Sequence, residues 1–275
     1  MKKLILLLSL GLSIISCSSE ENEVPENETP SLLKFEQRKF QNGTLTNKII
    51  TNYNDQKPIL TSFYNQSNTL TFTREYEYSS EGLLVSIKGY MQNGTLNSET
   101  TISYDNLNRI IKTIRLEENN TYNTTSNFIY NNNNSITSNS NSNGNLFSKT
   151  FEINSNGIIH KEIQNGILNT SVQYDNLKPI IRISNSTTYN YTYLETGSLP
   201  SSNQSILGGN KVNGVLFQNS LDTSSAYLTT ELIKKISSNS SEEEYIYTLN
   251  NNGFPLTKKG YYNGELENEY DYTYE

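Results

Sequence analysis

The stretch YDNLNRI, Tyr104–Ile110, returns almost unchanged as YDNLKPI at Tyr174–Ile180. Each copy is an aromatic lead, a polar pair able to bond its own turn backbone, and an aliphatic restart. Looser copies surround them: YNDQKPI from Tyr53, YSSEGLL from Tyr78, YNNNNSI from Tyr130, INSNGII from Ile153 and LNNNGFP from Leu249. The leads lie 25, 26, 26, 23, 21 and 75 residues apart, the last gap being three periods. Four positions after the lead stands Gly82, Asn108, Asn134, Gly157 or Gly253, with Lys57 and Lys178 as exceptions. Gly and Asn accept the left-handed backbone that closes a short hairpin loop.

Between the leads runs a second mark, the Asn-Gly pairs at Asn42, Asn93, Asn143, Asn165 and Asn263. The pentapeptide QNGTL occurs twice, at Gln41–Leu45 and Gln92–Leu96. Asn-Gly between alternating residues predicts a two-residue type I′ turn, because both central positions need positive φ. Each period is therefore two strands and two turns, a repeated supersecondary unit. Along the strands, Tyr76 and Tyr78, Ile102 and Tyr104, Phe128 and Tyr130, Phe151 and Ile153, and Val172 and Tyr174 share a face, with Glu77, Ser103, Glu152 and Gln173 between them. The return strand sets Ile181 and Ile183 against Arg182. One apolar and one wet face mark an antiparallel sheet. About sixteen such strands exceed what an open sheet sustains, so the expected fold is all-β: a large antiparallel meander of hairpins curled into a barrel or flattened barrel. Tyr78, Phe128, Tyr130, Val172 and Tyr174 should point inward, and Glu77, Glu152, Gln173 and Arg182 into water.

The chain divides into a leader (1–16), an acidic tether (17–31) and the repeat domain (32–275), interrupted by an irregular insertion at 196–241. The leader reads MKKLILLLSLGLSIISC. Lys2 and Lys3 precede an apolar run, Leu4 to Ile15, too short to span a bilayer. Ile14-Ile15-Ser16-Cys17 resembles a bacterial lipobox, and Cys17 is the one cysteine of the chain. The resemblance implies cleavage before Cys17 and its acylation, with the membrane as partner through the lipid. The tether, SSEENEVPENETP, carries five Glu and two Pro and too little apolar surface to fold. Its acidic residues resemble the surface-export signal of Bacteroidota lipoproteins, which implies an outer-membrane, cell-surface address.

The YDNLNRI and YDNLKPI units resemble the YD repeat of Rhs-type proteins, whose long sheets coil into shells. With the lipobox and tether, the chain resembles Bacteroidota lipoproteins with a porin-like, YD-repeat-like β fold. The likeness runs from Leu32 to Glu275 except Thr196 to Ser241, and YIYTLNNNGFPLTK at Tyr245–Lys258 resembles their last repeat. At the position where YD repeats place Arg, Arg109 matches, while Pro58, Leu83 and Pro179 depart. The resemblance implies a fold and an address, and no particular activity.

Composition narrows the chemistry. The formal charge of −7 becomes −9 once Lys2 and Lys3 leave with the leader, a balance that repels phosphate backbones and argues against nucleic acid as a partner. The 41 Asn residues mostly fall where turns are expected. With Cys17 acylated no thiol remains for disulfides or metal. His160 is the single histidine, set beside Glu162 on a strand and expected at the surface, a poor basis for a Ser-His-Asp triad. No EF-hand spacing occurs, and GGNKVNG at Gly208–Gly214 continues into Val215 and Leu216 where a phosphate loop needs Lys and Ser or Thr. Glu242–Glu244 read as a solvated strand start. The tyrosines read as core with their hydroxyls at a rim. Leu228, Leu232 and Ile236 stand at helical spacing within the insertion, with Asp222 or Ser224 as a cap, and predict a short helix plugging or lidding the barrel. The sequence thus assigns no catalytic, cofactor or metal residue. It points to an envelope lipoprotein attached at Cys17 that acts as a binding or structural module for a protein or glycan. A porin-like outer-membrane channel and a glycan-active enzyme are the alternatives. A channel would need an apolar outer band, and the enzyme a carboxylate pair that the sequence does not display.

Overall fold

The computed structural model describes residues 30–117, 122–198 and 231–275. Eighteen strands lie among them: β1 (Leu32–Gln41), β2 (Thr44–Asn54), β3 (Lys57–Asn65), β4 (Leu70–Tyr78), β5 (Leu84–Met91), β6 (Leu96–Tyr104), β7 (Ile110–Glu117), β8 (Tyr122–Asn131) and β9 (Ser135–Ser142) form the first half. β10 (Asn145–Ile153), β11 (Ile159–Gln164), β12 (Ile167–Asp175), β13 (Lys178–Ser184), β14 (Thr187–Ser198), β15 (Glu231–Ser237), β16 (Glu242–Leu249), β17 (Pro255–Tyr262) and β18 (Glu265–Tyr274) form the second. Every strand pairs antiparallel with its chain neighbours, and β1 pairs with both β2 and β18. The meander is a closed barrel, which leaves no edge open to another chain.

Two kinds of turn join the strands. Asn42-Gly43, Asn143-Gly144, Asn165-Gly166 and Asn263-Gly264 have positive φ at both positions and close type I′ hairpins, as expected. Asp55-Gln56 does the same without a glycine, which removes any need for a left-handed residue at Lys57. Asn93-Gly94 departs from the expectation. Only Gly94 has positive φ there; its N–H bonds the Met91 carbonyl, and Met91 N–H bonds Thr95. The same pentapeptide thus folds in two ways: Gln41 pairs with Thr44 across a two-residue turn, whereas the ladder at the second copy runs one residue out of step, with Tyr90 facing Leu96 and Met91 N–H bonding the Thr95 carbonyl across a longer loop. At the lead end, Asp105, Asn154 and Asn250 each accept two backbone N–H bonds through one side-chain oxygen, at 2.9–3.0 Å. That is the physical content of the polar residue following the lead.

The lead itself sits at a bulge. The register shifts at Tyr53, Tyr78, Tyr104, Ile153, Tyr174, Tyr193 and Leu249, which face Pro58, Leu84, Ile110, Ile159, Pro179, Ile233 and Pro255. A bulge takes a backbone group out of the ladder. Each of those seven facing residues has its carbonyl bonded by a tyrosine hydroxyl from the next strand. The donors are Tyr78 to Pro58 (2.8 Å), Tyr104 to Leu84 (2.8 Å), Tyr130 to Ile110 (3.1 Å), Tyr174 to Ile159 (3.0 Å), Tyr193 to Pro179 (2.6 Å), Tyr247 to Ile233 (2.9 Å) and Tyr274 to Pro255 (2.8 Å). The exception explains the rule. Tyr130 faces Ile136 with no register shift, and the lead that would reach the Ile136 carbonyl is Ile153, which has no hydroxyl.

The apolar core gathers at this lead end. Leu84, Ile110, Ile136 and Ile159 open return strands, Ile102, Phe128 and Phe151 lie close to strand ends, and all seven are buried in one cluster. Each contributes about 1.5–3 kcal/mol. Towards the Asn-Gly end the inner face turns polar: Thr124, Ser126, Ser138 and Ser140 are buried, with Ser126 and Ser140 hydroxyls 2.7 Å apart.

The inward set holds for Phe128 and Val172, which are buried, and for Tyr78, Tyr130 and Tyr174, which are half-buried. Glu77 and Gln173 are exposed, and Glu152 lies on the outer face bonded to Lys161. Arg182 is a correction. It pairs with Val172 and points inward, its guanidinium 4.4 Å from the Tyr189 ring, while Ile183 is exposed. The bulge at Tyr174 adds one residue, and one residue inverts every side chain after it. The insertion is a second correction. Leu232 and Ile236 lie in strand β15, not in a helix; Leu228, Asp222 and Ser224 fall outside the described residues. β15 completes the ring between β14 and β16, and ladder pairing outweighs a helical spacing of three residues.

Candidate functional site

The inner face of β4–β7 builds a cavity. Directly opposed residues share a face, so Arg74, Gly89, Ser98 and Glu117 form one row across four strands. Tyr76, Ile87, Thr100 and Arg115 form the next row, two residues nearer the lead end. The rows enclose about 220 Å³, lined by Phe72, Arg74, Ile87, Asn97, Ser98, Thr100, Arg115 and Glu117. Gly89 lets the Phe72 ring and the Ser98 hydroxyl close over the sheet at the edge of the cavity, since a Cβ there would meet Phe72 Cζ and Ser98 Oγ, each at 2.4 Å. Phe72 and Phe63 rings meet edge-on, and the Arg74 guanidinium lies 5.0 Å from Phe63 and 5.8 Å from Phe72. Arg115 bonds Glu117 on its own strand.

Other charges also face inward. Glu162 is 2% exposed, bonded by Lys149 Nζ and Asn169 Nδ2, each at 2.9 Å. Lys258 Nζ lies 4.0 Å from the Tyr245 ring centre and 4.7 Å from that of Tyr270. Burial pulls Lys258 down to about 8, against the opposing pull of Glu243. Burial likewise pushes the Tyr130 and Tyr270 hydroxyls up to about 12.

The outer face is wet along the length of the strands. Arg38 bonds Asp271 at 2.5 Å, Lys88 bonds Glu77 at 2.6 Å, Lys161 bonds Glu152 at 2.6 Å and Lys235 bonds Glu242 at 2.7 Å. Lys34 bonds Glu36 near the lead end of β1. Isolated aliphatics such as Ile129 and Ile246 stand between them, both about half exposed.

Of the residues singled out in the sequence, Cys17 and Gly208–Gly214 lie outside the described residues. His160 is half-buried, with its ring 3.9 Å from Glu152; Glu162 points into the barrel instead of standing beside it. The bulge at Ile153 again sets the two apart. Within Glu242–Glu244, Glu243 turns inward and accepts the Tyr245 hydroxyl at 2.5 Å, so only its neighbours are solvated. Sequence reasoning missed Arg74, Arg115 and Glu117. Gly89, a glycine inside an alternating strand, was the available signal.

These features define the class: an all-β, closed, eighteen-stranded antiparallel barrel with polar surfaces outside and a partly charged interior. No family model matches the chain, and no curated protein matches it. Among solved structures it is similar to a porin-like protein from Bacteroides uniformis, at 15% identity over 89% of this chain and 98% of that one, with a TM-score of 0.44. It is also similar to TcdB2-TccC3, at 12% identity over 81% of this chain and 14% of that one, TM-score 0.35. The Photorhabdus luminescens Tc holotoxin pore matches at 11% identity over 82% of this chain and 13% of that one, TM-score 0.25.

Proposed function

We propose that the chain is an envelope lipoprotein, anchored through Cys17, whose barrel stands in water and serves as a surface-exposed binding module of the YD-repeat-like kind. The observation that carries this reading is the outer face. Barrels that span a bilayer present an apolar band about 25 Å tall, and a Lys or Arg at its midplane costs about 2–4 kcal/mol. Here Arg38, Lys88, Lys161 and Lys235 occupy outward strand positions in ion pairs with carboxylates. The lipid would hold to the membrane a body whose described residues form no apolar belt. A channel is the second reading, favoured by the charged inner face. Fractionation of the Cys17→Ala variant separates the two. Transfer of the intact barrel to the soluble fraction, with loss of acylation, is the outcome expected; a Cys17→Ala protein that stays in the membrane through carbonate washing would overturn the lipoprotein reading in favour of the channel.

A further inference from the structure

The geometry points to the β4–β7 cavity as a binding site for a small carboxylate-bearing solute of the sugar-acid type. This deepens the binding-module reading and rests on it, but not on the anchor at Cys17. The chain carries −7 overall, yet the cavity is lined by two guanidinium groups and one carboxylate, a local excess of positive charge. Glu117 is matched by Arg115. Arg74 makes no ion pair among the described residues; it rests on the faces of Phe63 and Phe72 and is exposed. A guanidinium fixed on aromatic rings keeps its fork of N–H donors for an incoming carboxylate, and the stacking limits the rotamer freedom that binding would otherwise remove. The rest of the lining suits a hydroxylated ring. Ser98 and Thr100 offer hydroxyls, Asn97 an amide, and Ile87 with the Phe72 ring an apolar wall. Gly89, between Arg74 and Ser98 in the row, lets the Phe72 ring lie flat enough to form the apolar wall between Arg74 and the Arg115–Glu117 pair.

Titration calorimetry on the purified full chain, with D-glucuronate as probe and D-glucose as the uncharged control, tests the assignment. Glucuronate should bind in the millimolar range or tighter, at least ~10-fold tighter than glucose, and weaken with salt. Arg74→Gln should lose ~10-fold or more in affinity, while Arg182→Gln, on β13, should leave binding unchanged. Ser98→Leu, which fills the trough from another strand, should abolish binding with a native melting curve, and it decides the matter if Arg74→Gln fails to fold. Equal affinity for glucose and glucuronate, no binding of either, or full binding by a folded Arg74→Gln or Ser98→Leu protein would overturn the proposal. Binding is read on purified protein and anchorage on cell fractions, so either can fail without the other.

Discussion

Replacing Tyr104 by Phe removes one oxygen atom and tests the logic of the whole barrel. That oxygen donates to the Leu84 carbonyl at 2.8 Å, and Leu84 is fully buried. The ring and its packing survive the change. What is lost is the partner of a carbonyl that the bulge at Tyr78 has removed from the ladder. A made hydrogen bond contributes about 1 kcal/mol, but a buried acceptor left without a partner costs about 1–3 kcal/mol, so the upper part of that range applies. Tyr130→Phe, which strands the Ile110 carbonyl at the next rung, should cost a similar amount. Tyr90→Phe is the control, because Tyr90 lies at the Asn-Gly end and belongs to no rung; its effect should stay within about 0.5 kcal/mol. Urea unfolding followed by circular dichroism measures the difference as a shift of midpoint at constant slope. If Tyr104→Phe and Tyr130→Phe unfold together with Tyr90→Phe, the hydroxyl ladder does not hold the repeats together and the tyrosines are only core.

Gly166→Val should destabilise by about 1 kcal/mol or more purely through backbone strain, since φ is +77° and no atom lies within 4 Å of the added Cβ; Gly94→Val should do the same at φ +81°, and an unchanged denaturation midpoint would contradict the turn assignments. Glu162→Ala removes the acceptor of Lys149 and Asn169 inside the barrel and should cost about 3 kcal/mol, against less than about 1 kcal/mol for Glu152→Ala in an outer pair with Lys161, a contrast readable from thermal melts. Stability should rise between pH 8 and about 10, where the unfolded chain keeps the proton that Lys258 has lost, and then fall from pH 10 to 12 as unfolded tyrosines ionise while Tyr130 and Tyr270 remain protonated; a flat denaturation midpoint across pH 8 to 12 would count against both burials.

How far the sequence could be read depended on where the bulges fall. Lead strands keep a period of two up to their last residues, so Phe128 and Val172 are inside as their alternation predicts. Return strands begin after an extra residue that composition does not mark. Arg182 and Ile183 therefore exchange faces, and Glu162 is carried inward away from His160. The two QNGTL copies show the same limit at the other end: identical residues close a type I′ turn at Asn42 and a longer loop at Asn93, because the choice is made by pairing outside the pentapeptide. Tyrosine at the lead was legible as core, but its hydroxyl partner lies up to 20 residues back in sequence, beyond any local pattern. The cavity was less legible still. Arg74, Arg115 and Glu117 come from two non-adjacent strands, and only the register aligns them across Gly89.

The asymmetry of the barrel gives the proposed anchor a direction. β1 starts at the lead end with buried Leu32, β18 and β14 finish there, and β15 begins there. Residues 17–31 extend at most about 50 Å, so the proposed acylation of Cys17 would leash the lead end to the bilayer. That is also the end where the apolar cluster from Leu84 to Ile159 and the tyrosine hydroxyl bonds lie. Strands of eight or nine residues rise about 26–31 Å, and this sets the Asn-Gly end that far from the leashed rim. Arg74 and Ser98 lie in that polar half. A barrel with its apolar cluster at one end and polar residues at the other would, under the proposed anchor, present its polar interior to the solvent beyond the membrane, where a solute would meet it.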